Sequence, residues 1–392
     1  KVVLDCSLNH VHPRHFAFQD IVEKGEKSEY KDWFTVFDYP VRFLHRPHLY
    51  ANTYKVGWDG NAEEYKTYLE KTFKETKVPV EVVDDDGPII EPTFKAWWGV
   101  PDMPKINFKN DGARQWALDV TEHWIKNFDI DGWRMDVAKE LDFSFWKDFR
   151  DVAYSAKKDI LLISEIFGDT SQWLQGERFD GTMNYSFRET MTDYFATKRI
   201  DNKEFANSLA NLYSMYSFEA LSSCQNLLSS HDVKRFLNRC GANTDGMFGA
   251  IFLQATFPGI AGIYYGDEIG LGGADDPFNR EPFPWESEDK WNKDLLKFTS
   301  ELMNIKTSQP ILRYGNFEMV TYDDNYVIFR RVLNDESLLC IVNRDLNNKD
   351  IELNTNAHSV DIVYGDCTIQ LDSGKLKITD IADNFGLIIK ES

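Results

Sequence analysis

The stretch FDIDGWRMDVAKELD, residues 128–142, opens on apolar residues and a glycine, as a buried strand does, and then sets Arg134 and Asp136 two positions apart. Residues two apart in an extended chain point to the same side, so guanidinium and carboxylate share one small space and each holds the other charged. The pair reads in two ways, as a structural salt bridge or as a carboxylate kept ionised for chemistry. The rest of the chain has to decide between them.

Working outward, short apolar runs ending in polar residues recur: VVLDCSLNH (2–10), DILLISEIFGD (159–169), FDGTMNYS (179–186), QNLLSSHD (225–232) and GIAGIYYGDE (259–268). Between them lie stretches with apolar residues at helical spacing, Asp111 to Asn127, Phe143 to Lys157 and Lys203 to Phe218. Strand and helix alternating in this way predict a parallel sheet with helices outside it. With the opening stretch there are six such units, and their polar residues sit at the C-terminal strand ends. This suits an α/β fold of the TIM (β/α)8 type with some of its βα units missing better than an open doubly wound sheet.

About a hundred residues separate His10 from the helix that starts near Asp111, far beyond an ordinary βα loop, so they predict an inserted domain. The insertion is aromatic and ends in AWWGVPDMPKINF (96–108). After the helix expected from Trp291 to Thr307, FEMVTYDD, YVIFRRVL, SLLCIVNR, SVDIVYGD and FGLIIKES alternate as the strands of an antiparallel β domain do. The expected division is a barrel of 1–10 and 106–312, an insertion of 11–105, and a β domain of 313–392.

Composition narrows the function. With 42% hydrophobic residues in 392 the chain can bury a large core. A formal net charge of −20, without a basic cluster, argues against a nucleic acid or an anionic membrane as partner and favours a neutral ligand. Aromatics make up 14%, and a surplus near polar loops suits a carbohydrate, whose C–H faces pack on rings. The five cysteines are scattered and lack metal-ligand spacing, so they read as free thiols of a reducing, cytoplasmic compartment. The longest apolar run, Gly249 to Gly266, is broken by Gln254, Thr256 and Pro258 and reads as a helix followed by a strand, not a membrane span. No signal peptide is visible, and the start at Lys1 within an apolar strand suggests that the true N-terminus is missing.

In a parallel barrel the strand ends meet on one face. The residues there are Asp5, Asn9 and His10, Arg134 and Asp136, Glu165, Asn184 and Tyr185, His231 and Asp232, and Asp267 and Glu268. Asp136, Glu165 and Asp232 would then crowd one pocket, where Arg134 keeps one acid ionised and another rises towards a general-acid range. A carboxylate nucleophile opposite a carboxylic acid is what glycoside cleavage through a covalent intermediate requires.

DCSLNH, GWRMDVAKE, ISEIFGD, LLSSHD and GIYYGDE, in this order, resemble the α-amylase family of glycoside hydrolases over nearly the whole chain. MPKIN (103–107), FDGTMNY (179–185) and DDPFNREPFPW (275–285) are similar to its branch of neopullulanases, cyclomaltodextrinases and maltogenic amylases, which act on cyclodextrins, pullulan and short maltooligosaccharides. The resemblance implies that Asp136 is the nucleophile, ionised by Arg134, and that Glu165 is the acid and then the base. It implies that Asp232 grips the 2- and 3-hydroxyls of the distorted sugar, with His231 and His10 as donors around the same ring. Asn184 and Tyr185 stand with these as substrate contacts, while Asp5 and Asn9 brace the pocket. Asp276 and Arg280 resemble contacts to a sugar on the non-reducing side, or else form a local loop salt bridge. Trp98, beside Trp97, is a stacking platform or part of the insertion's own small core.

The departures matter too. Glu140 stands where many α-amylases have a histidine whose carbonyl helps bind a structural calcium together with the Asn of the first motif, which weakens the case for the metal. The acidic run Asp84, Asp85 and Asp86 could hold calcium or be a solvated turn. No cofactor is required by the chemistry. Phe167 replaces the branch's usual Trp at the acceptor side. By this resemblance the first two βα units of the barrel are missing from the 392 residues, and so is the branch's N-terminal β domain, which builds its homodimer. The expected activity is retaining cleavage of α-1,4 and α-1,6 glucosidic bonds, with a 4-α-glucanotransferase or an α-glucosidase as alternatives and a non-catalytic barrel relative as the remote one.

Overall fold

Gly132 lets the strand of the opening stretch lie close to its neighbour, because a Cβ there would stand 2.6 Å from the Leu161 carbonyl oxygen. The computed structural model describes residues 1–50, 62–344, 349–382 and 385–392, so part of the expected insertion, 51–61, lies outside the described residues. The chain forms two compact units, Lys1–Glu165 and Ile166–Ser392.

In the first unit β1 (Val3–Cys6) is followed by a three-stranded sheet of β2 (Phe43–His45), β3 (Val80–Val82) and β4 (Ile90–Pro92), ordered β3-β2-β4. Then come β5 (Gly132–Met135) and β6 (Leu161–Ser164), which extend β1 into a parallel β1-β5-β6 array. The β5 strand is the one read from the opening stretch. Two helices, Asp111–Phe128 and Phe143–Ala156, join this array as the apolar spacing predicts. Asn110 starts the first by accepting from the Ala113 N–H, which satisfies one of the orphan donors of the first turn. The segment between β1 and that helix has its own apolar cluster, including Phe18, Phe34, Val41, Phe43, Leu69 and Phe94. Fully burying each such phenylalanine stabilises the fold by roughly 1.5–3 kcal/mol.

In the second unit β7 (Gly181–Thr182) leads to β8 (Gln225–Leu227) and β9 (Ile260–Gly262), with β8 and β9 parallel and Met183 bridged to Gln225. The helix expected from Lys203 to Phe218 is two helices, Asn202–Ser214 and Phe218–Ser223. Asp201 and Glu204 form a capping box at the first, and Ser217 caps the second by accepting from the Ala220 N–H. A serine that can satisfy a new helix start competes with continuing the old one. Asp245–Thr256 and Lys293–Ser308 follow as the longer helices.

The C-terminal part of this unit begins with β10 (Asn316–Tyr322), β11 (Tyr326–Leu333), β12 (Glu336–Asn343), β13 (Ile351–Asn354) and β14 (Val360–Tyr364). It ends with β15 (Thr368–Asp372), β16 (Lys375–Thr379) and β17 (Gly386–Glu391). The five runs expected from the sequence form one antiparallel sheet, β10-β11-β12-β17-β14, while β13-β16-β15 is a second sheet that the reading missed. Ile328, Leu339, Ile341 and Ile389 from the first sheet and Ile351, Leu376 and Ile378 from the second share one apolar core.

Candidate active site

Parallel pairing of β1 and β5 sets Asp5 beside Arg134, and β6 follows on the other side with Arg134 beside Ile163. One guanidinium thereby reaches three acids. Arg134 Nη1 donates to Asp5 Oδ1 at 2.8 Å and to Asp136 Oδ1 at 2.9 Å, and Nη2 lies 3.0 Å from Glu165 Oε1. Burial of Arg134 works against its charge, but Glu165, Asp5 and Asp136 together raise the guanidinium above its ordinary range. The sequence reading gave Arg134 to Asp136 and left Glu165 free to rise. The structure instead divides the two terminal nitrogens, so Glu165 also has a cation at its carboxylate.

Glu165 has a second partner, since its Oε2 accepts from the Val137 N–H at 3.0 Å. Val137 makes that bond from the left-handed region at φ 49°, a costly position for a β-branched residue. Strain of this kind persists where the surroundings over-determine it. His10 stacks on Trp97 with ring centroids 5.2 Å apart, and Asn9 Nδ2 stands 3.2 Å from its Nδ1. Burial lowers the His10 pKa, against the opposing charge of Asp136, so the neutral imidazole is favoured.

Trp98 is not in the small core of its segment. It is 85% exposed and lines a groove of about 720 Å³ with Phe37, Tyr65, Tyr68 and Pro92.

In the second unit His231 Nε2 lies 3.0 Å from Asp232 Oδ2, and Arg280 Nη2 lies 3.6 Å from Asp232 Oδ1. Arg280 Nε is also 3.2 Å from Asp276 Oδ1, so the loop salt bridge expected as one alternative is formed, and the same guanidinium reaches Asp232 as well. Phe167 is more than half exposed and covers Tyr185, with ring centroids 3.8 Å apart.

Asn184 and Tyr185, expected as substrate contacts, are both buried. Asn184 is 1% exposed, and its amide caps a helix by accepting from the Phe187 N–H at 3.0 Å while donating to Asn226 Oδ1 at 2.9 Å. Tyr185 is buried beneath Phe167, with its hydroxyl 3.4 Å from Ser230 Oγ.

The sequence reading also missed Asn279, which is wholly buried and donates to the carbonyls of His231 and Val233 at 2.8 and 3.0 Å. Its only signal was its place between Asp276 and Arg280, because an irregular loop has no periodicity that tells a buried amide from a solvated one.

Of the groups named for calcium, Asn9 Oδ1 is buried without a partner, the Glu140 carboxylate is engaged by Lys105 Nζ at 2.6 Å, Asp85 pairs with Arg46, and Asp84 stands 3.6 Å from His48 Nδ1. Among the described residues no group of three or more His, Cys, Asp or Glu is arranged to hold a metal ion. Among the same residues all five cysteines are free thiols, and no helix is long and apolar enough to cross a membrane.

Residues 93–311 match the family profile described as Alpha amylase, catalytic domain. The chain is 32% identical over 355 residues to the cyclomaltodextrinase of Thermoanaerobacter pseudethanolicus, covering 90% of this chain and 54% of that protein. It is 34% identical over 345 residues to neopullulanase 2 of Thermoactinomyces vulgaris, covering 88% and 51%. The chain therefore spans about half the length of the curated relatives it matches. The solved cyclic alpha-maltosyl-(1→6)-maltose hydrolase of Arthrobacter globiformis, in its ligand-free form, superposes with a TM-score of 0.78 at 27% identity, over 100% of this chain and 76% of that one. These likenesses give the chain the TIM-barrel glycosidase fold with a C-terminal antiparallel sheet. By its acid-bearing strand ends and by the profile that covers more than half of its length, the chain belongs to the α-amylase family.

Proposed function

We propose that this chain carries the catalytic machinery of a retaining α-glucan hydrolase that acts on cyclodextrins, pullulan or maltooligosaccharides. The observation that carries the reading is the single Arg134 guanidinium that holds Asp136 and Glu165 at 2.9 and 3.0 Å on its two terminal nitrogens. Two carboxyl groups kept within the span of one guanidinium suit a nucleophile and an acid, which double displacement sets about 5–5.5 Å apart.

In this reading Asp136 attacks the anomeric carbon as Glu165 protonates the leaving oxygen, and Glu165 then takes a proton from the water that releases the sugar. Asp232 grips the 2- and 3-hydroxyls, His231 and a neutral His10 donate around the same ring, and Arg280 with Asp276 holds a farther sugar. Phe167 and Trp98 offer exposed aromatic faces for stacking. The relatives named cyclomaltodextrinase and neopullulanase support the choice of substrates.

The proposed organisation is a barrel of 1–10 and 106–312, an inserted domain of 11–105 and a β domain of 313–392. The eight-stranded closure implied by the resemblance calls for two βα units besides the six described. The free thiols support a cytoplasmic location.

The test is turnover and stereochemistry in the full-length protein. Asp136→Asn and Glu165→Gln should each lower kcat by several orders of magnitude while the thermal transition survives. Proton NMR of the first sugar released from maltotriose should show the α anomer. Initial β product, or activity within about tenfold of the parent in either variant, would overturn the roles.

A further inference from the structure

The stretch Ser230–Val233 that carries His231 and Asp232 is not part of a helix or a strand, and only an isolated bridge joins its ends. Its carbonyls therefore need partners from elsewhere. Asn279 supplies a donor to three of them. Asn279 Nδ2 lies 3.4, 2.8 and 3.0 Å from the carbonyl oxygens of Ser230, His231 and Val233, the residues that flank Asp232. Arg280 Nε donates to the same His231 carbonyl at 2.9 Å, while its Nη2 reaches Asp232.

Asn279 is itself held from behind. Arg235, with no exposed surface, donates through Nε to the Asn279 carbonyl at 3.1 Å and lies 4.4 and 4.8 Å from the ring centroids of Tyr264 and Tyr265. Its Nη1 donates to the Tyr265 carbonyl at 2.8 Å and to Asp267 Oδ1 at 3.3 Å. Ser229 Oγ accepts from the Phe236 N–H and donates to the same Asp267 oxygen, both at 2.9 Å. Three chain segments, around Ser229–Phe236, Tyr264–Asp267 and Gly273–Arg280, are thus pinned to one another by buried polar groups.

We propose that Asn279, anchored by Arg235 and Asp267, is a positioning residue for the reaction: it fixes the backbone from which Asp232 projects and the angle at which Arg280 meets it. The inference rests on the functional reading given above, in which Asp232 acts on the substrate. Asn279 Oδ1 and Arg235 Nη2 are buried without a hydrogen-bond partner, yet the donors Asn279 Nδ2, Arg235 Nε and Arg235 Nη1 tie the segments together, and a group that must meet a distorted sugar tolerates little displacement. Without the amide the His231 carbonyl keeps only its Arg280 donor and the Val233 carbonyl loses this partner, the stretch loosens, and the carboxylate of Asp232 samples geometries that no longer meet the hydroxyls.

The test is a double-mutant cycle in the full-length protein, with an activated aryl α-maltoside as substrate so that slow variants stay measurable. Asn279→Ala should lower kcat by about tenfold or more with KM within about threefold of the parent. Combined with Asp232→Asn it should cost less than about threefold beyond Asp232→Asn alone, because the positioned group is already gone. If Asn279→Ala does not fold, Asn279→Ser, which keeps one donor, takes its place in the same cycle. Losses that multiply in the double variant, or an Asn279 variant as active as the parent beside an inactive Asp232→Asn, would overturn the positioning role and leave the functional reading standing. Full activity in Asp232→Asn would overturn the functional reading and this inference with it.

Discussion

Trp98 keeps 85% of its surface exposed from a left-handed backbone at φ 51°. A large aromatic ring left in water contributes little to folding, and an aromatic residue at positive φ costs energy, so stability does not account for this residue. Stacking on a sugar would. Trp98→Ala should leave the melting temperature within about 2 °C and kcat nearly unchanged, while KM for maltooligosaccharides rises by about two- to tenfold, the worth of one aromatic stack. A lower melting temperature with an unchanged KM would make the ring structural. At this scale the sequence was legible where chemistry follows spacing. Arg134 and Asp136 declare themselves two apart on a strand, and Glu165 ends the next such run. The helix-capping place of Asn184 was not legible, because a helix-capping amide and a sugar-binding amide are the same residue at the same kind of strand end.

Among the elements, the helix Asp245–Thr256 shows how a buried terminus is satisfied. Lys306 Nζ donates to the carbonyls of Ala255 and Phe257 at 3.1 and 3.2 Å, and Arg331 donates to that of Thr256 at 2.6 Å. The Lys306 amine and the Arg331 guanidinium thus close the negative end of the helix dipole inside the protein. Burial, with Arg331 adding to it, pushes Lys306 down from 10.5 to about 7. The unfolded chain keeps that proton up to about pH 10.5, so between about 7 and 10.5 it binds more protons than the folded chain, and stability rises with pH across this window. The same contribution is lost as pH falls through about 7. Lys306→Met should therefore narrow the change in urea midpoint between about pH 7 and about pH 9.5, besides leaving two carbonyls unpaired at about 1–3 kcal/mol each. A midpoint difference between variant and parent that stays constant with pH would refute the buried neutral amine. Neither contact was visible in the sequence, where Lys306 and Arg331 look like ordinary surface cations on a helix and a strand. The second C-terminal sheet, with strands of four or five residues, was not visible either.

For the whole molecule, the repeated passage from apolar run to polar strand end to amphipathic helix gave the fold, because six repetitions of one pattern are hard to mistake. What the pattern could not give is how irregular loops fold back on strand ends, since such loops are held by individual side chains such as Asn279 and Arg235. Charge belongs to this scale as well. With 64 acidic against 44 basic residues the net charge is −20, so the field around the molecule repels polyanions and neither attracts nor repels a neutral glucan. Arg134 is only 8% exposed, and salt screens its pairs with Asp136 and Glu165 far less than surface charges. Binding of a cyclodextrin to Glu165→Gln, measured by calorimetry so that turnover does not intrude, should therefore keep its Kd within about twofold as sodium chloride rises from about 0.02 to about 0.5 M. The same protein should show no retention on heparin or DNA at the lower salt. A Kd that moves by about fivefold or more would mean that recognition forms or breaks an exposed ion pair, for which Asp276 and Arg280, about half exposed in their loop, are the first groups to test.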